Sequence, residues 1–458
     1  MEPGRRGRFE IPGKINTIFR SLKYRNYRLF FIGQSISLVG TWMQRIAMPW
    51  LVYHLTGSAF MLGLVGFGGQ IPTFLLAPVA GVITDKFDKF RVLVITQIVF
   101  LIQALVLAIL TLLGVIHVWQ IVILSIVLGC INAFDVPSRQ SFVVEMVENK
   151  EDLGNAIALN SMMFNGARII GPSIAGIILA TVGEGICFLI NAISFLFVIA
   201  SLLMMHVSRS PVKARHGNLF TDLREGMIYV TGYAPIKHML ILLSVVSLMG
   251  ASYQVIMPVF VKEVLKGDSG TFGFLMGAAG LGALVAALYL ASRETIIKMG
   301  RIIPAAAAVF GFGLVLLSFS SLFLVSLLLM TIVGLGMMMN TACCNTILQI
   351  ITEDDKRGRV MSFYTIAIMG TAPFGSLIAG SLAKFIGTSQ TLLVGGVSCI
   401  AGAFFFYKKL PELKRIVHPV YVKMGLIPEV ISGIQTASEP AVSKSDLPAS
   451  RSEKENDL

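Results

Sequence analysis

The sequence predicts an all-α membrane protein: about twelve transmembrane helices in two pseudo-symmetric six-helix bundles. Three observations predict it. Apolar stretches near the ~20 residues that span a bilayer recur along most of the chain. Lys and Arg gather in alternate connections between them. The two halves echo each other in glycine placement.

The stretches run roughly over 29–53, 61–84, 92–114, 118–139, 155–181, 185–206, 238–260, 270–291, 299–319, 321–345, 359–383 and 388–407. Only 14% of the 458 residues are charged and 55% are hydrophobic, against ~25% charged in soluble domains. The longest polar interruption divides the chain. Residues 1–28 read as a cytoplasmic N-terminal segment and 29–206 as the first bundle. Residues 207–237 read as a cytoplasmic linker and 238–407 as the second bundle. Within the linker, Phe220 to Val230 mixes charged and apolar residues, as in a short surface helix. Pro411 is expected to end the last helix, and 408–458 to form a cytoplasmic, largely disordered tail, Ser- and Lys-rich from about Thr436.

A net charge of +12 in a soluble protein would point to nucleic acid. Here the basic clusters are Arg5–Arg28, Lys86–Arg91, Arg209–Lys237, Arg293–Arg301, Lys356–Arg359 and Lys408–Arg415. These are alternate loops plus both termini. The pattern places both termini in the cytoplasm of a multi-pass inner-membrane protein and excludes a nucleic-acid partner. No cleaved signal is expected.

The internal echo is specific. Gly171, Ile174-Ala175-Gly176 and Gly183 match Gly375, Ile378-Ala379-Gly380 and Gly387 at one constant offset, and Gly63 and Gly273 begin the second and eighth spans. Two parallel six-helix repeats follow. Glycine runs such as Gly63-x-x-Gly66 and Gly277-x-x-Gly280 let helices approach closely. They lack the Lys-Ser/Thr of a phosphate loop. The five cysteines fall inside spans without metal-ligand spacing and read as packing residues. No cofactor, metal or catalytic cluster stands out.

Polar residues inside spans are costly, so their arrangement informs function. Gln34, Ser37, Thr41 and Arg45 share one face of the first span. Ser161, Asn165, Arg168 and Pro172 share one face of the fifth, and Thr341, Asn345 and Gln349 one face of the tenth. Each stripe alone fits interhelical bonding or cavity lining; three together predict a shared polar cavity. Arg45 and Arg168 lie deep, with no obvious carboxylate mid-span. They either recognise an anionic solute, or bond to backbone carbonyls, snorkel outward or hold helices together. Between the second and third spans, Asp85-Lys86-Phe87-Asp88-Lys89-Phe90-Arg91 must be a turn at a membrane face. Asp135, read as the end of the fourth span, lies at the same face. It is either a latch partner of Arg91 or a headgroup-region charge.

These residues resemble the major facilitator superfamily, specifically its branch of bacterial siderophore and macrolide exporters. The loop pattern is G-x-x-x-D-[RK]-x-x-[RK]-[RK]. Gly81, Asp85, Lys86 and Lys89 fit it, Phe90 departs, and Arg91 follows. Gly33-Gln34-Ser35-Ile36-Ser37, Pro49-Trp50-Leu51-Val52-Tyr53, Asp135-Val136-Pro137-Ser138-Arg139-Gln140 and Arg357-Gly358-Arg359 extend the likeness. The resemblance implies two bundles rocking about a central site. Asp85 would contact the start of the eleventh helix, and Arg91 would pair with an acid at the end of the fourth. Gly171, Pro172 and Gly176 resemble the antiporter motif of proton-coupled exporters, although Ala175 replaces a usual Gly.

The expected activity is therefore export of a small organic molecule (a siderophore, macrolide or other amphipathic compound) with protons as the expected coupling ion and a monomer as the expected state. The expected cavity comprises Gln34, Thr41, Arg45, Asn165, Arg168, Asn345 and Gln349. A non-transporting membrane sensor or scaffold, or an importer, is the alternative.

Overall fold

The computed structural model describes residues 19–206, 219–293, 299–353 and 355–423; of 78–79, 81–86, 150, 219–223 and 423 it describes the backbone alone. All regular structure among them is helical. The first bundle comprises α1 (Arg25–Thr56), α2 (Ala59–Lys86), α3 (Lys89–Leu112), α4 (Val118–Glu145), α5 (Leu153–Val182) and α6 (Glu184–Leu203). A linker helix, α7 (Leu219–Gly232), follows. The second bundle comprises α8 (Ala234–Glu263), α9 (Ser269–Ala291), α10 (Met299–Ser318), α11 (Phe323–Ile351), α12 (Arg357–Ile386) and α13 (Thr388–Lys423). Among the described residues, eleven helices are long and apolar enough to cross a membrane. The twelfth, α1, has the length, at 32 residues, but its polar face dilutes its hydropathy. Large apolar side chains are exposed along most of these helices, Phe385 (80%) and Leu324 (71%) among them; so broad an apolar surface belongs in hydrocarbon.

Local chemistry sets the helix ends. Gly57, at φ 59°, stops α1 in the left-handed conformation while its N–H donates to the Tyr53 carbonyl. Asp88 opens α3 by accepting from the Phe90 N–H at 3.0 Å. Asp268 opens α9, accepting from the Thr271 N–H at 2.8 Å. Gly183 and Gly387, one repeat apart, end α5 and α12 at φ 86° and 89°.

The contacts repeat as the glycine echo predicts. In the first bundle α1 packs on α5 and α6, α3 on α4 and α6, and α2 on α4. In the second, α8 packs on α12 and α13, α10 on α11 and α13, and α9 on α11. The bundles meet along two seams, α2 with α12 and α5 with α9. The echoed glycines build both seams. A Cβ on Gly63 would lie 3.0 Å from the Gly380 Cα, and one on Gly176 3.0 Å from the Gly273 Cα.

Two sequence expectations need correction. Pro411 does not end the last helix: α13 runs on to Lys423. Leu410, Leu413 and Val417 are buried along one face of this extension, and that burial outweighs the missing hydrogen bond. The tail is thus helical as far as Lys423, and 424–458 lie outside the described residues. Nor does Asp135 end the fourth span. It sits ten residues inside α4, buried, and the polar run after it continues the helix. Ser138 Oγ donates to the Phe134 carbonyl at 2.7 Å, and Arg139 Nε stands 3.4 Å from Asp135 Oδ2.

Ahead of α1, the turn Arg20–Lys23 clasps the start of α5. Arg20 and Lys23 both pair with Asp152, the latter at 2.6 Å; Tyr24 Oη donates to Asp152 at 2.8 Å, and Ser21 N–H to Asn155 at 2.9 Å. The hydrogen bonds from Lys23 and Tyr24 hold the Asp152 carboxyl below its ordinary 3.8. The same carboxylate raises Lys23. A lowered acid stabilises above its ordinary pKa, and that stability is lost as pH falls through the lowered one; the Lys23 share is lost only as pH rises through its raised value. A nitroxide on Leu22→Cys is therefore expected to be immobile at neutral pH and to loosen below about pH 4. In Asp152→Asn it should be loose at pH 7. Equal mobility of the parent and Asp152→Asn at pH 7 would rule out an ionic clasp.

Candidate functional site

Between the bundles lies a cavity of about 500 Å³. Helices from both halves line it. Thr41, Gln44 and Arg45 come from α1, Gln70 and Thr73 from α2, and Gln103 from α3. Ser247, Ser252 and Gln254 come from α8, and Thr341 from α11. Phe100, Phe195, Phe272 and Met276 add apolar wall. The mixture suits an amphipathic solute.

The half where α1 stops and α13 starts is sealed. The glycine seams lie there, and Trp50 stacks on Phe272 across the bundles, ring centroids 5.9 Å apart. Tyr53 Oη donates to Glu263 Oε1 at 2.9 Å, and the Lys384 ammonium lies 5.7 Å from the Phe60 ring centre. Gln70 Nε2 donates to Ser376 Oγ at 3.1 Å. In the half where α1 starts and α13 stops, the side chains of Ser161, Met162 and Phe164 on α5 and of Gln349 on α11 are exposed. The cavity thus faces the end where α1 starts and α13 stops.

Of the seven expected cavity residues, Thr41 and Arg45 line this space. Gln34 is buried within its bundle. Asn165 Nδ2 donates to the Ser161 carbonyl of its own helix at 2.9 Å. Gln349 and Asn345 bond each other. These four, with Arg168, are not among the lining side chains. The polar stripes do not all face one space: of their four amides, Asn165, Asn345 and Gln349 bond along their own helices.

Trp42 organises the two deep cations. The Arg45 guanidinium lies 4.7 Å from its ring centre and that of Arg168 5.9 Å. Each such contact is worth ~0.5–2 kcal/mol, more where water is excluded. Gly171 makes room for the indole: a Cβ there would come within 2.5 Å of the Trp42 Cβ. Pro172 and Gly176 are buried. Gly176 lies against Gly273, and a Cβ on Gly273 would meet the Pro172 carbonyl at 2.6 Å. Their packing role is to let α5 approach α1 and α9.

Sequence reasoning missed a buried amide chain. Asn191 Nδ2 donates to Gln44 Oε1 at 2.6 Å, and Gln44 Nε2 to Gln103 Oε1 at 3.1 Å. Two glutamines in otherwise apolar α3 and a lone asparagine in α6 were the available signal. A second cluster surrounds Asp135, whose Oδ1 accepts from Gln97 at 2.7 Å and Thr96 at 3.1 Å.

The turn residues are partnered differently from the expected latch. Arg91 stands 3.6 Å from Asp88 and Lys89 2.7 Å from Glu145. Arg91 and Asp135 are therefore not paired in this structure. Gly81, Asp85 and Lys86 fall in the last turns of α2, and their side chains lie outside the described residues.

Comparison with known proteins agrees with this architecture. The transmembrane secretion effector family matches residues 16–424. The staphyloferrin A transporter of Staphylococcus aureus is 28% identical, covering 84% of this chain and 97% of that one. The macrolide efflux protein A of Streptococcus pyogenes is 23% identical, covering 83% and 96%. The multidrug efflux pump Tap of Mycolicibacterium fortuitum is 23% identical, covering 76% and 87%. Among solved structures, an inward-facing bacterial homologue of the lysosomal transporter Spinster superposes with a TM-score of 0.68 at 10% identity, covering 87% and 98%. An inward-facing bacterial homologue of ferroportin gives 0.63 at 17%, covering 84% and 98%. These two share the fold. The chain belongs to the transmembrane secretion effectors of the major facilitator superfamily, and is a multi-pass membrane transporter rather than an enzyme.

Proposed function

We propose that this chain exports a small organic molecule across the cytoplasmic membrane by alternating access, with proton influx as the driving force. The observation that carries the reading is the cavity between the bundles, sealed at one end by the glycine seams and facing the other. Two seams of small residues let the bundles part and rejoin without repacking either core. The relatives handle a siderophore, macrolides and multiple drugs by name, and the mixed polar and aromatic lining suits such amphipathic compounds. Both termini face the cytoplasm in this reading, because Arg20, Lys23, Arg25, Arg28, Lys89, Arg91, Lys408 and Lys409 gather at that end. The protein works as a monomer.

Asp135 is the candidate proton carrier. It is buried and bonded to neutral donors, and its partner Arg139 is half-buried. Asp85, Lys86 and Arg91 form the latch of the opposite state. When the cytoplasmic side closes, Arg91 exchanges Asp88 for Asp135, and Asp85 caps the start of α12.

Cells lacking the chain should accumulate its substrate from a panel of siderophores, macrolides and dyes, and cells overproducing it should hold less. Asp85→Asn should lower efflux about tenfold while membrane insertion is unchanged; a latch interaction of about 1.4 kcal/mol corresponds to that factor. Efflux equal to wild type in this variant would remove the latch.

A further inference from the structure

Among the described residues lining the cavity, Arg45 is the single charged side chain. It is exposed, although it sits in the middle of a long transmembrane helix, because it projects into that space. The charges that act on it are those of Arg139 and Arg168, both of its own sign. Among the described residues no carboxylate comes within ion-pair distance of it. The Trp42 face offsets part of its charge. The remaining polar lining is neutral, and six of those side chains are amides: Gln44, Gln70, Gln103, Asn132, Asn191 and Gln254. Gln44, Gln103, Asn132 and Asn191 each give one N–H to a protein oxygen, and the second N–H of each amide group can donate to an anion.

A cation entering this space would meet repulsion from the guanidinium groups and find no acid to offset its desolvation. An anion meets the reverse. A guanidinium matches a carboxylate in planar, two-pronged fashion, and the aromatic wall of Phe100, Phe195 and Phe272 takes an apolar body.

We propose that the cavity selects amphipathic anions, above all carboxylates, and that Arg45, held on the Trp42 ring, binds the anionic group. This rests on the export reading and names the substrate class of the same cavity. Arg168 is a positioning residue: it lies on the Trp42 ring from the α5 side and adds positive potential without lining the space.

The test uses the full-length protein in nanodiscs of neutral lipid, with empty nanodiscs subtracted. Three probes share one ring system: pyrene-1-butyrate (anionic), pyrene-1-butanol (neutral) and 1-pyrenemethylamine (cationic). The butyrate should bind at least tenfold tighter than the alcohol, and the amine weaker than both. Arg45→Gln should bring butyrate affinity down to that of the alcohol and leave the alcohol unchanged. Arg45→Lys should keep part of the preference, and an unaltered melting temperature in both variants separates binding from folding. Amine binding tighter than butyrate, or an equal loss of all three probes in Arg45→Gln, overturns the anion site. Alcohol binding without any butyrate preference overturns it too, while leaving the export reading intact. Failure of all three probes to bind overturns the site, and loss of panel efflux would then be needed to overturn export.

Discussion

Gly273→Leu should abolish transport while leaving the protein inserted and folded. At this position a Cβ would lie 2.5 Å from the Gly176 Cα, 2.6 Å from the Pro172 carbonyl and 2.8 Å from the Gly176 nitrogen. All three neighbours are backbone, so no side chain can swing aside. The seam between α5 and α9 must open. Overpacking of this kind costs about 1–3 kcal/mol, which shifts a two-state population about 5- to 150-fold. The far side of the cavity can then no longer seal, and the cycle stalls. A thiol at Trp50→Cys reports the change. It should be shielded in the parent and become reactive toward an impermeant maleimide from the far side in the Gly273→Leu background. Gly176→Leu should behave alike, since the two glycines face each other. Parental flux together with a shielded thiol would mean that the seam is not the gate.

Asp135→Ala should cause the second large effect, on stability as well as on flux. The carboxylate is 3% exposed and accepts from Gln97 and Thr96. Removing it leaves the Arg139 guanidinium without its acid, and Arg139 is 19% exposed on its side chain. Breaking a buried pair from one side costs ~3–5 kcal/mol, and the partial exposure of Arg139 places this one near 3. Thermal unfolding in detergent checks it. The double variant Asp135→Leu/Arg139→Leu should recover much of the lost stability, because no charge is then stranded. If Asp135 carries the transported proton, the double variant stays inactive in vesicles with an imposed pH gradient. Recovered flux would make the carboxylate structural, and an unshifted melting curve in Asp135→Ala would remove the pair from the stability argument.

The fold was legible because its determinants are periodic. Apolar runs of spanning length, alternating basic loops and a constant glycine offset each survive without knowledge of contacts. Gly183 and Gly387 show this well: both end their helices with positive φ, a requirement visible as a lone glycine after an apolar run. Pro411 misled because the cost of proline inside a helix is local, whereas the burial of Leu410, Leu413 and Val417 depends on a neighbour distant in sequence.

The cavity was legible only in part, for a related reason. A stripe of polar residues shows that a helix face is wet or bonded, but not which. Thr41 and Arg45 are wet; Asn165 turned back to its own helix. The Asn191, Gln44 and Gln103 chain spans three helices far apart in sequence, so no spacing rule announces it. Asp135 was misplaced because Val136 to Gln140 reads as a helix end, while Ser138 bonds back to the Phe134 carbonyl and Arg139 lies beside Asp135 one turn on.

In the second bundle, α8 and α12 each carry a π-helical turn, over Val246–Gly250 and Ile366–Gly370. The two touch, with Ser247 Oγ donating to the Ile368 carbonyl at 2.6 Å. A π turn inserts one extra residue into the ladder and weakens it locally. Two such flaws at one depth, beside the cavity, give that bundle a built-in elbow. Its lower arms can bend around cargo while the glycine-seamed upper ends stay clasped, so loading need not wait for the whole half to pivot.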